Sequence, residues 1–309
     1  MMAQYLALKA EAGGDLLFYR MGDFFELFFE DARTAAAVLD IALTTRGEHE
    51  GEPIPMCGVP VHSAEGYLAR LIKAGLRVAI AEQTETPEQA KARGSKALVG
   101  RAIVRFVTAG TLTEDALLDS RRANLLAAVG EAAGHYAVAA ADISTGRLDV
   151  VAVDAGGIEA ELARINASEV IARPGLADRL TGALPFENRG FDSARAEADI
   201  CRHFGVKTVE SFGSFSRAEL SALGGLLGYL EHVGKGRMPF LAAPVRAGAQ
   251  DHLAIDPATR ESLEIVTTAS GQRAGSLLAT VDRTVTGAGA RLLAADLSAP
   301  LMDRAKVEA

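Results

Sequence analysis

The sequence predicts an α/β chain: a mixed-sheet α/β domain, a second α/β domain, and the start of an all-α region. Three observations carry this. Through the first third, short apolar runs punctuated by Gly alternate with helix-periodic stretches. After Thr111, three strand-like runs follow one another across short Gly-bearing turns. From about Ala218, Leu220, Leu223, Leu226, Leu227 and Leu230 recur at helical spacing, which predicts one buried helix face. The domains are expected at residues 1–112, 113–242 and 243–309.

Taken in order, a helix over residues 2–11 ends at Gly13-Gly14, and Leu16-Leu17-Phe18-Tyr19-Arg20-Met21 reads as a buried strand. Gly22 breaks that strand. Asp23 with Glu26 matches a capping box, so a helix is expected over residues 24–39 with Phe24 at the strand-to-helix turn. Residues 41–45 read as a strand, 47–52 as a polar turn, and the Pro/Gly-rich run 53–60 as a rigid surface loop. Ser63 is an N-cap candidate for a helix through Ala74, with Gly75 just past its end. Strands are expected over 76–82, centrally placed, and over 99–107, where Arg101, Ile103 and Arg105 alternate.

In the second part, strands over 124–130, 135–142 and 147–153, a helix over 158–165 and a strand over 169–172 give a β-β-β-α-β order. That order suits a ribonuclease-H-like sheet. Helical pattern resumes over 255–270 and 287–297.

Composition excludes several classes. No run of about eighteen apolar residues exists, so no membrane span is expected. Cys57 and Cys201 are the two cysteines, which fits a reducing cytoplasm, and Cys201-x-His203 lacks the second pair a metal site needs. A net charge of −8 argues against a protein that coats nucleic acid by bulk electrostatics. A local reader remains compatible with it: Lys91, Arg93, Lys96, Arg101 and Arg105 lie in a stretch without acids.

The most informative run is Gly22-Asp23-Phe24-Phe25-Glu26-Leu27-Phe28, because five of the twelve Phe fall between positions 18 and 29 around one carboxylate. By itself it reads as a hydrophobic staple over a capped helix start. The run is followed by Leu43-Thr44-Thr45-Arg46, Gly51-Glu52-Pro53-Ile54-Pro55-Met56-Cys57-Gly58-Val59-Pro60-x-His62 and Tyr67-Leu68-Ala69-Arg70-Leu71. Further on stand Arg105-Phe106-Val107-Thr108, the stretch from Asp119 to Leu126, Ala141-Asp142-Ile143-Ser144-Thr145-Gly146 and Asp256-Pro257-Ala258-Thr259-Arg260. This ordered set resembles the MutS mismatch-repair family across essentially the whole chain, as a mismatch-recognition domain, a ribonuclease-H-like connector and the start of an all-α lever domain.

The resemblance implies recognition of mispaired or unpaired bases in duplex DNA. The family's Phe-x-Glu falls on Phe24, a wedge against the lesion from the minor groove, and on Glu26, which hydrogen-bonds the base. Met21, Met56, Pro60, His62, Lys96, Arg101 and Arg105 are the further DNA-contact candidates. It also implies a MutL-type partner on the connector, and ATP, Mg²⁺ and a homodimer for the full-length family. For this chain the expectation is a monomer without cofactor or metal and without ATPase activity, since Gly-x-x-x-x-Gly-Lys-[Ser/Thr] is absent and Gly234-Lys235-Gly236 lacks the upstream glycine. The alternatives are a metal-dependent nuclease of ribonuclease-H type using Asp142, or a partner-docking module only. Two positions depart from the family pattern: Ala109 stands where Pro is usual, and so does the segment after Thr286, Gly287-Ala288-Gly289.

Overall fold

Gly22 takes a left-handed backbone, φ 61°, and with Asp23 closes a tight hairpin that returns the chain antiparallel onto itself. This turn organises the first of two compact units, Met1–Leu117 with His232–Arg237 and Leu118–Glu231 with Met238–Ala309. A computed structural model describes residues 1–94, 97–112, 121–247, 252–253, 255–303 and 307–308.

The first unit runs α1 (Met2–Ala12), β1 (Leu16–Met21), β2 (Phe24–Phe28), α2 (Phe29–Leu39), β3 (Thr44–His49), β4 (Glu52–Pro60), α3 (Ala64–Lys73), β5 (Val78–Gln83), α4 (Pro87–Arg93) and β6 (Arg101–Val107). Its sheet has the order β3-β4-β2-β1-β5-β6, with β1 and β5 parallel and every other pair antiparallel. Leu17, Phe18, Tyr19, Leu27 and Phe28 are fully buried, and each such side chain contributes about 1.5–3 kcal/mol. Tyr5 of α1 packs edge-on against Tyr19 and Phe28, so α1 covers part of one sheet face. The other face buries Phe18 and Phe25, and α2 and α3 contact the strands that carry it.

Four expectations are corrected here. The helix expected from residue 24 begins at Phe29, and residues 24–28 are a strand. Asp23 and Glu26 are therefore no capping box: the helix N-cap is Phe28, without a side-chain bond, and Glu30 and Asp31 supply the negative charge in the first turn. The strand expected over 41–45 is shifted to Thr44–His49, and Glu50-Gly51, both with positive φ, make the turn into β4. The run 53–60 is not a loop but most of β4, an internal strand. Its prolines sit where they cost little: Pro53 and Pro55 flank the bulge between Thr45 and Glu48, and Pro60 ends the strand. Ser63 occupies the N-cap of α3, but its hydroxyl donates to the Pro60 carbonyl instead of capping.

The second unit contains β7 (Leu125–Ala132), β8 (His135–Asp142), β9 (Arg147–Val153), α5 (Ile158–Ile165), β10 (Glu169–Ala172), α6 (Pro174–Ala177), β11 (Leu184–Pro185), α7 (Ser193–Phe204), α8 (Arg217–Val233), β12 (Val245–Arg246), α9 (Pro257–Ser262), α10 (Leu277–Val281) and α11 (Gly287–Ser298). The sheet order is β11-β10-β7-β8-β9-β12, with an antiparallel β7-β8-β9 meander and β10 and β11 parallel to β7. This is the ribonuclease-H-like order expected from the sequence.

Within this unit α8 is buried on nearly every side rather than along one face, since Ala222, Leu223, Leu226 and Tyr229 are all covered. Glycines make that possible. A Cβ on Gly130 of β7 would stand 2.3 Å from the Ala222 amide nitrogen, and one on Gly225 would stand 2.2 Å from the Phe191 ring. The helix expected over 255–270 stops at Ser262. The β-branched run Ile265-Val266-Thr267-Thr268 disfavours its continuation, and Glu264 turns left-handed at φ 46°. α11 starts without a proline because the Thr286 hydroxyl accepts from the Gly289 amide at 3.1 Å.

Candidate nucleic-acid interface

A β-strand sends alternate side chains to opposite faces, and residues paired across strands share a face. Phe24, Glu26 and Phe28 therefore point one way, and Phe25 and Leu27 point into the core. The register sets rows across this face. Met21, Phe24 and Pro60 form the first, Tyr19, Glu26 and Gly58 the second, and Phe28, Met56 and Thr44 the third. Five candidates scattered over forty residues of sequence, Met21, Phe24, Glu26, Met56 and Pro60, thus come together on one surface.

Phe24 is 46% exposed, while Phe18, Phe25 and Phe28 beside it are buried. It follows the hairpin turn directly, and that turn is fixed by the Val61 amide donating to the Asp23 carbonyl at 2.9 Å. Its ring rests against Gly58 of the neighbouring strand, where a Cβ would meet it at 3.5 Å. A large aromatic is thus held at the surface by backbone geometry with a flat seat beneath it.

Glu26 has a partner that the sequence reading did not assign. Arg46 of β3 reaches across β4, and its Nη1 donates to both carboxylate oxygens. The Glu26 side chain is 12% exposed and that of Arg46 44% exposed, so the guanidinium forms the outer surface of the pair. The signal was present: Arg46 closes the Leu43-Thr44-Thr45-Arg46 motif, but nothing in one dimension connects it to Glu26.

Arg101 lies on the same face with its guanidinium bound inside the protein. Nε donates to the Arg20 carbonyl at 2.6 Å, Nη1 to Val99 O and Gln4 Oε1, and Nη2 to the Met21 sulfur at 3.3 Å. Its carbon also sits 4.8 Å from the Tyr19 ring centre. Burial pushes the Tyr19 phenol above its ordinary range, and Arg101 opposes that rise. Arg101 thereby braces Met21 beside Phe24. Arg105 is half-buried on the edge strand β6, paired with Ile80, and His62 is exposed in the turn after Pro60. Lys96 lies outside the described residues. Among the basic residues before it, Arg93 pairs with Glu85, whose carboxyl is held low by the Gly100 amide and by Arg93.

In the second unit, Asp142 caps its own turn. Its Oδ1 accepts from the Ser144 amide at 3.0 Å and the Ser144 hydroxyl at 2.6 Å. Among the described residues no three His, Cys, Asp or Glu side chains gather as metal ligands. A cavity of about 530 Å³ in this unit is lined by more arginines than acids, and two of these arginines pair within it, Arg147 with Asp149 at 2.6 Å and Arg164 with Glu161 at 2.6 Å. Lys235, the one P-loop-like lysine, pairs with Glu11 at 2.5 Å and lies 5.4 Å from the Phe106 ring centre.

An α/β unit that displays an aromatic and a carboxylate from one strand, then a ribonuclease-H-like sheet and helices, defines the class as a modular α/β protein. The chain belongs to the MutS family: the family models of MutS domain I, MutS domain II and MutS domain III match residues 1–116, 124–241 and 258–309. It is 59% identical to the DNA mismatch repair protein MutS of Zymomonas mobilis over 310 residues, covering 98% of this chain and 36% of that protein. It is 59% identical to MutS of Erythrobacter litoralis over 319 residues (100% and 36%) and 54% identical to MutS of Cereibacter sphaeroides over 308 residues (98% and 35%). The chain thus spans about a third of the length of these relatives. Among the described residues no helix is long and apolar enough to cross a membrane.

Proposed function

We propose that this chain reads mispaired or unpaired bases in duplex DNA for mismatch repair, with Phe24 as the wedge and Glu26 as the hydrogen-bonding partner of the displaced base. One observation carries the reading: a half-exposed Phe24, seated on Gly58, shares a strand face with Glu26 while the surrounding aromatics are buried. Unstacking a base step costs a few kcal/mol, less where pairing is already poor. A ring stacked on the exposed base returns about 1–3 kcal/mol. The balance favours lesions over matched steps. A carboxylate among phosphates is repelled, so Glu26 contributes where a base N–H meets it.

Around this core we place recognition in residues 1–112, a connector in 113–242 and the start of the lever in 243–309. Met56, Pro60 and His62 extend the contact surface, Met21 and Arg101 support the wedge, and Lys96 and Arg105 serve the phosphates. A MutL-type partner docks on the connector. ATP turnover with Mg²⁺ and the homodimer belong to the whole family protein, acting on DNA in the cytoplasm. The test is a titration at fixed salt against matched, mismatched and single-insertion duplexes, with Phe24→Ala alongside. Tighter binding of the lesion duplexes that is lost in Phe24→Ala supports the reading. Equal binding of all three duplexes overturns it.

A further inference from the structure

We infer that Arg46 is a positioning residue for Glu26: it holds and neutralises the carboxylate in the free protein and passes to a phosphate when a lesion base takes Glu26. This rests on the lesion-reading role proposed for Phe24 and Glu26. The geometry points to it in three ways. β3 is an edge strand, exposed along its length and bent by the bulge between Thr45 and Glu48, where Gly47 adopts φ 70°. Bulges re-aim side chains, and Arg46 sits within this one. The carboxylate it holds lies on a face that also carries Met21, Phe24, Phe28, Met56 and Pro60, where an unpaired anion would be poorly solvated. The guanidinium is also the more exposed partner, so a duplex approaching this face meets the cation before the anion.

The exchange conserves interactions. Arg46 uses Nη1 on Glu26 and has three further N–H groups on Nε and Nη2 with which to engage a phosphate. At a lesion, a base N–H replaces Arg46 on the carboxylate while the guanidinium moves to the backbone. Two charge-assisted bonds then stand where there was one ion pair. At a matched step no base N–H is presented, the pair stays closed, and the duplex gains only part of the Arg46 contact. Arg46 thereby widens the preference for lesions.

The test uses the 309-residue chain as the native protein and as R46A, R46K, E26Q, R46A/E26Q and F24A. Anisotropy titrations against a single-insertion and a matched duplex give a double-mutant cycle. R46A is expected to narrow the insertion-to-matched affinity ratio about fivefold in the native background and less than about twofold in the E26Q background. R46K should restore part of the ratio. An equal loss on both duplexes in both backgrounds would make Arg46 an ordinary phosphate contact and overturn the inference. In the ¹⁵N-labelled chain, the Arg46 side-chain NεH resonance should shift with E26Q and on adding insertion duplex. A resonance indifferent to E26Q also overturns it. F24A separates the two ideas: full discrimination in F24A defeats the lesion-reading role, while the NεH resonance and the cycle still report on the Arg46–Glu26 pair.

Discussion

Phe24→Ala is the perturbation that separates a reading surface from a packing surface. A fully buried Phe→Ala change costs about 3–5 kcal/mol. Phe24 is 46% exposed, and its ring contacts Gly58 from above instead of filling the core, so roughly 1–2 kcal/mol of stability is at stake. In a unit of this size that lowers Tm by about 4–8 °C. The loss on DNA is worked from stacking: about 1–3 kcal/mol per base, or roughly 5- to 150-fold in the affinity ratio between lesion and matched duplex. Thermal unfolding by circular dichroism and anisotropy titration at one salt concentration measure the two effects on the same preparation. A small Tm shift with collapsed discrimination is the expected pair. A drop in Tm well beyond 10 °C with discrimination intact would show that Phe24 is core and would refute the reasoning.

Glu26→Gln should raise affinity for matched duplex by about twofold to fivefold and narrow lesion preference, because a repelled anion is removed and Arg46 is released; flat binding to both duplexes would contradict this. Gly58→Val should lift the Phe24 ring from its seat, reducing discrimination at nearly unchanged Tm, since one Cβ there already stands at contact distance, 3.5 Å. Burial, aided by Asp31, pushes the Cys57 thiol up to about 11 from an ordinary 9.0. A folded pKa raised in this way gives stability that is complete below about 9 and lost as pH rises towards about 11. The thiol should resist alkylation at pH 8, and Cys57→Ser should flatten the alkaline decline of stability, checked by urea melts at pH 8 and 10.5.

Much of the fold was legible in one dimension. β8, β9, α5 and β10 begin and end where alternation, Gly turns and helical spacing place them, because each is bounded by strong local signals. β2 was not, since Asp23-x-x-Glu26 imitates a capping box and a strand buried on most positions shows no clean period of two. β4 was hidden by its prolines, which only the bulge and the strand end excuse. The site was legible as residue types and not as an arrangement. Met21, Phe24, Met56 and Pro60 were identifiable, but the order β3-β4-β2-β1 that brings them together is a long-range choice of pairing. Arg46 stood in a recognisable motif, but its pairing with Glu26 across two strand gaps is equally a long-range choice.

That residues 24–28 are a strand sets a length scale. An extended chain advances about 3.4 Å per residue, so Phe24 and Glu26 stand about 6.8 Å apart along one straight edge. Bases along a DNA strand repeat every 3.4 Å or so, and the two side chains therefore span about two stacking intervals. On a helix the same pair would be separated by about 200° of rotation and could not face one surface together. In the proposed reading of a lesion, the hairpin is a ruler ruled in the duplex's own unit. A single residue inserted between Phe24 and Glu26 would not stretch the ruler but turn it over, sending the carboxylate into the core.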